Sequence, residues 1–196
     1  MRIVAGKFRG RAIASPEHDG LRPTSDRTRE SVFNILAHGI EDFILREARV
    51  IDLFAGTGAL GLEALSRGAG YCLFVEDAEE ARALIRRNVE AFGLTGETRI
   101  FRRDATDLGP AGHIARFDLA FIDAPYGQGL GGKALAGLIT GQWLNSTALI
   151  VMEDRADSGL IAPAGTTLLE TRSWGETEVH FIRLNSSLAQ RPAPIV

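Results

Sequence analysis

Two segments of this 196-residue chain carry residue types that could do chemistry together. The first is Val50-Ile51-Asp52-Leu53-Phe54-Ala55-Gly56-Thr57-Gly58-Ala59-Leu60-Gly61, and the second is Phe117-Asp118-Leu119-Ala120-Phe121-Ile122-Asp123-Ala124-Pro125-Tyr126. Each reads as an apolar strand that ends on an aspartate and opens into a turn. In an open α/β sheet ligands sit beyond the carboxyl ends of the strands, so two such turns would face one site. The first turn can hold a nucleoside, and the second a base with an amino group. Together they point to methyl transfer from S-adenosylmethionine to an exocyclic nitrogen.

An aromatic amino group is a poor nucleophile because its lone pair is delocalised into the ring. A catalyst must draw that nitrogen toward tetrahedral geometry by accepting both of its N–H bonds. The Asp123 carboxylate can accept one, and the Ala124 carbonyl, held extended because Pro125 follows, the other. Tyr126 offers a face on which a flipped base could stack, a contact worth about 1–3 kcal/mol in single-strand binders. No general base is needed before transfer, since positioning and electrostatics carry most of the effect. A surface turn of the same four residues is common, and its place straight after an apolar strand is what favours the catalytic reading.

The glycine turn alone is ambiguous. Gly56-x-Gly58-x-x-Gly61 satisfies a dinucleotide fingerprint, with Glu76 at the end of the next strand where a ribose-binding carboxylate is expected. Asp52 argues against a pyrophosphate, which it would repel, and for a ligand with a cationic amino acid tail. The expected cofactor set is therefore Asp52, Phe54, Ala55, Gly56 and Gly58 at the first strand end, Glu76 and Asp77 at the second, and Asp104 and Ala105 at the third.

The elements that position these residues follow from periodicity. Arg2 to Val4, Lys7 to Arg9 and Arg11 to Ala14 read as short strands around Gly6 and Gly10. Ser25 or Asp26 can cap a helix to about His38, with Val32, Phe33 and Leu36 on its apolar face. β/α alternation follows: strand Arg49 to Leu53, helix Ala59 to Arg67, strand Tyr71 to Val75, helix Ala78 to Phe92 and strand Thr98 to Arg102. Asp77 and Glu80 have capping-box spacing for the second of these helices. A strand Phe117 to Ile122, a helix Lys133 to Thr140, a strand Ala148 to Met152 and a hairpin of Thr167 to Arg172 with Glu178 to Leu184 complete the pattern. Alternation of this kind implies a mostly parallel sheet covered by helices on both faces. One domain over residues 1–185 is expected, with 186–196 a loose tail.

No apolar run could span a bilayer, and Met1-Arg2 opens on a strand pattern rather than a signal-peptide core, so a soluble, cytoplasmic protein is expected. Cys72, the only cysteine, lies in the apolar run Tyr71-Cys72-Leu73-Phe74-Val75 and reads as a buried structural thiol. The four histidines show no ligand spacing, and no metal is expected. The net charge of −3 argues against a nucleic-acid partner, but residues 1–30 carry seven cations against four carboxylates, a local +3, and six of the seven are arginine. A phosphate-binding surface would therefore lie in the amino-terminal 1–38 segment, at Lys7, Arg9, Arg11, Arg22 and Arg29.

At these residues the chain resembles a known family. Asp123-Ala124-Pro125-Tyr126 is similar to the (Asp/Asn)-Pro-Pro-(Tyr/Phe) motif of amino-group methyltransferases, and Asp52 to Arg67 to the first motif of the bacterial RsmD-type 16S rRNA guanine-N2 methyltransferases. Arg2 to Arg11 and Leu21 to Asn34 resemble the opening strands and helix lead-in of that family. The resemblance implies a Rossmann-like class I methyltransferase fold with a seven-stranded sheet and a small amino-terminal β-hairpin. It also implies S-adenosylmethionine as donor, one guanine of 16S rRNA in the small subunit as acceptor, and Thr24 and Arg27 near the cofactor or target base; a monomer is expected. Ala124 departs from the usual proline but keeps the carbonyl that the chemistry uses. Three other activities remain open: an NAD-dependent oxidoreductase, an amino-methyltransferase of DNA adenine or protein glutamine, and a non-catalytic RNA-binding module. For the last, aromatic residues, at 7%, are few.

Overall fold

The computed structural model describes residues 1–16, 26–156, 159 and 162–185. Seven strands form one mixed sheet of order β3-β2-β1-β4-β5-β7-β6, and the described chain groups into two compact units that divide after Ala105. The first unit holds α1 (Asp26–His38), β1 (Arg49–Leu53), α2 (Ala59–Ser66), β2 (Tyr71–Val75), α3 (Glu79–Phe92) and β3 (Thr98–Phe101). The second holds β4 (Phe117–Asp123), α4 (Leu130–Thr140), β5 (Leu144–Arg155), β6 (Thr166–Trp174) and β7 (Thr177–Leu184). No helix among the described residues is long and apolar enough to cross a membrane.

In the first unit β1 and β3 each pair with β2 in parallel, with Asp52 opposite Phe74 and Val75 opposite Phe101. Val50, Ile51, Leu53, Cys72, Phe74 and Val75 are fully buried, as parallel strands covered on both faces require. α2 packs with its backbone against β2: a Cβ on Gly61 would collide with the Phe74 ring and the Cys72 sulfur. Cys72 is buried, as expected, and burial pushes its thiol well up. α3 ends at Gly93, whose left-handed φ of 69° allows Gly93 N–H and Leu94 N–H to close on the carbonyls of Glu90 and Val89. Its expected capping box does not form. The N-cap is Ala78 without a side-chain cap, and Glu76 Oε1 at the end of β2 accepts the Ala78 N–H at 2.9 Å instead.

The amino-terminal strands are also corrected. Residues 1–14 form a looped segment with a single bridge, Arg2 to Ala12, turned at Gly6 and Gly10 with φ of 81° and 83°. Its backbone donors divide: Ile3, Gly10 and Ile13 N–H close on the Arg11, Ile3 and Met1 carbonyls across the loop, and others go to α2. Val4 and Ala5 N–H donate to the Glu63 carboxylate at 2.8 and 2.9 Å, and Phe8 N–H to Ser66 Oγ at 3.0 Å. A Cβ on Gly6 would overlap the Ser66 carbonyl, so only glycine permits this approach. Glu63 is fully buried and also meets Arg67 Nε at 2.8 Å and Arg29 Nε at 3.5 Å. Arg29 reaches Asp26 at 2.7 Å and donates to the Arg2 carbonyl.

In the second unit β4 and β5 run parallel with Asp123 opposite Glu153, and β7 pairs antiparallel with both β5 and β6. β5 is far longer than the apolar run Ala148 to Met152. Its two ends are drawn in by pairing, at Leu144 with Phe117 and at Arg155 with Thr177. α4 starts at Leu130, before Lys133, from Gly129 at a left-handed φ of 65°. Trp143 is buried, donates its indole N–H to the Gly109 carbonyl at 2.8 Å, and stacks on Phe117. His180 on β7 is 3% exposed, beside Thr171 Oγ1 at 3.0 Å and the Glu178 carboxylate at 3.9 Å.

Removing Arg29 leaves the buried Glu63 carboxylate short of a counter-charge. Arg29→Met is expected to lower stability by about 3–5 kcal/mol, read as a shift in the urea midpoint at unchanged slope. Burial pushes the His180 imidazole down, against Glu178 and Asp154, which favour its charged form. With the folded pKa below the unfolded one, the unfolded chain takes the proton first, and stability is lost as pH falls below about 6.5. His180→Gln should remove that part of the acid sensitivity, measured as urea midpoints between about pH 7 and pH 5.

Candidate active site

β1 delivers the chain into a turn with three left-handed residues, Phe54 (φ 56°), Gly56 (φ 54°) and Gly58 (φ 78°). A phenylalanine rarely adopts that conformation, and such strain concentrates at ligand-binding turns. The glycines divide the work. A Cβ on Gly56 would meet only the Phe54 carbonyl at 3.9 Å, leaving that side of the turn open, whereas on Gly58 it would press on Phe74 and Ile85 at 3.2 and 3.4 Å. Gly58 is also the N-cap of α2 and supplies no side chain to cap it.

That missing cap explains Asp52. β1 continues to Leu53, so the strand does not end on Asp52, and the carboxylate is only 1% exposed. Its Oδ2 accepts the N–H of Gly61 in the first turn of α2 at 3.0 Å, where a negative charge also suits the helix dipole. The Asp52 charge thus supports the start of α2 beside the glycine turn.

Glu76, half-buried, is brought to the same turn. Its Oε2 accepts Gly56 N–H at 2.9 Å while Oε1 accepts Ala78 N–H, so one carboxylate joins the end of β2 to both the glycine turn and the start of α3. Each oxygen retains acceptor capacity for a ligand hydroxyl. Ala55 and Phe54 are half-buried, Asp77 and Asp104 are exposed, and Ala105 is buried. Asn88, which the sequence reading missed, fixes this region from α3. Its Nδ2 donates to the carbonyls of Thr57 at 3.0 Å and Ala14 at 3.1 Å, and its Oδ1 accepts Ala14 N–H at 2.8 Å. An asparagine on the apolar face marked by Ile85, Val89 and Phe92 was the available signal.

Of the expected phosphate contacts, Arg29 is corrected outright: it is fully buried in the Glu63 and Asp26 ion pairs and cannot reach a polyanion. Lys7 is exposed and paired with Glu97 at 3.2 Å. Arg11 is exposed at its edge, donates to the Ala91 carbonyl, and lies over the Phe92 ring at 4.5 Å. Arg9 and Arg27 are exposed, while Arg22 and Thr24 fall outside the described residues.

In the second unit Asp123 is the last residue of β4 and half-buried, Ala124 is 6% exposed, Pro125 is exposed and Tyr126 half-buried. The Tyr126 hydroxyl donates to Glu153 Oε1 at 2.7 Å and lies 3.1 Å from Thr177 Oγ1. Burial pushes this phenol up to about 12, the Glu153 and Asp123 carboxylates add to the shift, and the Thr177 bond opposes it. The phenol is thus a donor at every pH where the protein would work. Glu153 and Thr177 were not singled out by the sequence reading. A carboxylate directly after the apolar run ending at Met152 was the only mark.

The whole region matches a known family, described as Conserved hypothetical protein 95, over residues 1–183. Ribosomal RNA small subunit methyltransferase D of Escherichia coli K12 is 37% identical over 90% of this chain and 86% of its own. The protein of the same name from Haemophilus influenzae is 34% identical, covering 89% of each chain. Among solved structures, a candidate methyltransferase of Escherichia coli superposes with a TM-score of 0.81 at 32% identity, over 95% of this chain and 98% of that one. The fold, a Rossmann-like class I methyltransferase sheet, is thereby that of its relatives. The chain belongs to the Conserved hypothetical protein 95 family, the RsmD family of small-subunit ribosomal RNA methyltransferases.

Proposed function

We propose that this protein transfers a methyl group from S-adenosylmethionine to the exocyclic N2 amine of one guanine in 16S rRNA of the small ribosomal subunit, acting in the cytoplasm. The observation that carries the reading is the Asp123-Ala124-Pro125-Tyr126 turn at the carboxyl end of β4, in a family whose characterised names are ribosomal RNA methyltransferases. The residues of the glycine turn fit the donor. Gly56 leaves an open cradle that a side chain would fill, and Glu76 stands at the same turn with acceptor capacity to spare. Phe54, Ala55, Gly56, Gly58, Glu76, Asp77, Asp104 and Ala105 would hold it, with Thr24 and Arg27 as further candidates and Asp52 supporting the turn through α2. When bound, the donor supplies an electrophilic sulfonium methyl.

The acceptor side is the work of this chain's own groups. The Asp123 carboxylate and the Ala124 carbonyl accept the two N–H bonds of the target amine, turning its lone pair out of conjugation. The Tyr126 ring stacks on the base. Ala124 keeps the carbonyl that the chemistry uses, on a backbone less restricted before binding than the more usual proline would give. For the polyanion, Arg9 is the strongest of the amino-terminal candidates, since Lys7 and Arg11 already have internal partners. The acceptor base, rather than the reaction class, is the finer part of the proposal, and DNA adenine or a protein glutamine would use the same turn.

The decisive experiment incubates the protein with labelled S-adenosylmethionine and small subunits from cells lacking it, then analyses the RNA nucleosides. Labelled N2-methylguanosine is expected. Label in another nucleoside, or none, would overturn the assignment. Asp123→Ala should fold as the parent does, by its thermal melt, while transfer falls by at least about 10²-fold, the scale of losing one preorganised contact. Arg9→Ala should weaken RNA binding and lower the slope of log affinity against log salt by about 1, with cofactor affinity unchanged.

A further inference from the structure

The Asp123–Tyr126 turn leaves β4 without a ladder of its own beyond Asp123, yet its tyrosine ends on two other strands. Glu153 belongs to β5, where it is the parallel-register partner of Asp123. Thr177 opens β7, is 7% exposed, and pairs with Arg155. A phenol has one proton to give and lone pairs to accept with. Here the proton goes to Glu153 at 2.7 Å, within the short range of a charge-assisted O–H···O bond, and the threonine hydroxyl lies 3.1 Å away. An irregular turn is thus tied at its far end to two paired strands.

We propose that Glu153 and Thr177 are positioning residues for the target base, holding the Tyr126 ring by its hydroxyl so that a fixed aromatic face stands beside the Asp123 carboxylate. The proposal rests on the reading of Asp123–Tyr126 as the acceptor-base site. A stacking face is useful only if its tilt is set before the base arrives; a ring free to turn about its side-chain torsions would be ordered at the expense of binding. Hydrogen bonds at the hydroxyl fix the far end of the ring, and because a phenol's donor and acceptor directions favour the ring plane, two partners there also bias that plane. The register adds a second constraint. Asp123 and Glu153 occupy one rung of the β4–β5 ladder, so the acceptor carboxylate and the anchor of the stacking ring are set by the same strand pairing. The anchor also persists: burial and the two carboxylates keep the phenol protonated, with only Thr177 favouring its ionisation.

The test is a kinetic cycle on the full chain with small subunits as substrate. Tyr126→Phe keeps the ring and loses the anchor, Glu153→Leu removes the acceptor, and Glu153→Gln retains an acceptor oxygen. Each of the first two should raise KM for the RNA substrate about tenfold with a smaller change in kcat and unchanged cofactor affinity. The double variant should be no worse than Tyr126→Phe, and Glu153→Gln should lie within about twofold of the parent. Additive losses, a loss of cofactor affinity in Glu153→Leu, or parental KM in Tyr126→Phe would each overturn the proposal. A second measurement needs no turnover. In a Tyr71→Phe background only Tyr126 titrates as a tyrosine, and its phenolate absorbance should appear at lower pH in Glu153→Gln and at higher pH in Thr177→Val; an unchanged midpoint in both overturns the anchoring. A parent that methylates no RNA removes the functional reading and this proposal with it, whereas a parent that does so while the cycle fails removes the proposal alone.

Discussion

The interaction on which the first unit depends is the buried carboxylate of Glu63. A charge with no exposure must be met from all sides, and four groups meet it: the backbone N–H groups of Val4 and Ala5, and the guanidinium groups of Arg67 and Arg29. They come from the amino-terminal loop, from α1 and from the end of α2 itself, so α2 serves as the post to which the loop and α1 are tied. Without that carboxylate, the N–H groups of Val4 and Ala5 would lose their acceptor. An apparently basic segment is in this way partly consumed by the fold. Arg29 is an internal counter-ion, and the cationic surface is smaller than the count of arginines implies.

The glycine turn shows the same economy with the opposite sign of charge. Asp52 and Glu76 sit near the ends of adjacent parallel strands, and both spend oxygens on backbone N–H groups of the turn and the helices that follow. The turn's backbone is therefore held by the chain's own carboxylates. Asn88 completes the enclosure from α3, linking Thr57 to Ala14. A preorganised turn of this kind reduces the ordering cost that binding would otherwise carry.

How much of this was legible in the sequence depends on how far each feature depends on local pattern. The strands Arg49 to Leu53 and Tyr71 to Val75 were read to the residue, because fully buried parallel strands are continuous apolar runs bounded by polar residues. β5 was read at less than half its length, since Glu153-Asp154-Arg155 are strand by virtue of pairing with β7, and Asn145-Ser146-Thr147 lie within the irregular register between the Phe117–Leu144 and Leu119–Leu149 pairs. The motif turns were visible as motifs, but not their supports. Glu63, Asn88 and Glu153 each act across dozens of residues in sequence, and a one-dimensional pattern does not reveal a partner 27 to 74 positions away. Arg29 was misread because a charged side chain was taken to face a ligand when a buried carboxylate had the prior claim.

Cys72 gains a meaning from its surroundings that its isolation in the sequence did not suggest. Thiolates are among the best acceptors for an electrophilic alkyl group, and a protein proposed to hold a sulfonium methyl donor risks modifying itself. Its single thiol lies beneath Gly61 in the core, fully buried and held in the neutral form by desolvation and by the nearby Asp52 charge. A neutral, inaccessible sulfur does not compete as a nucleophile. The packing that lets α2 rest on β2 thereby also protects the chain against self-alkylation.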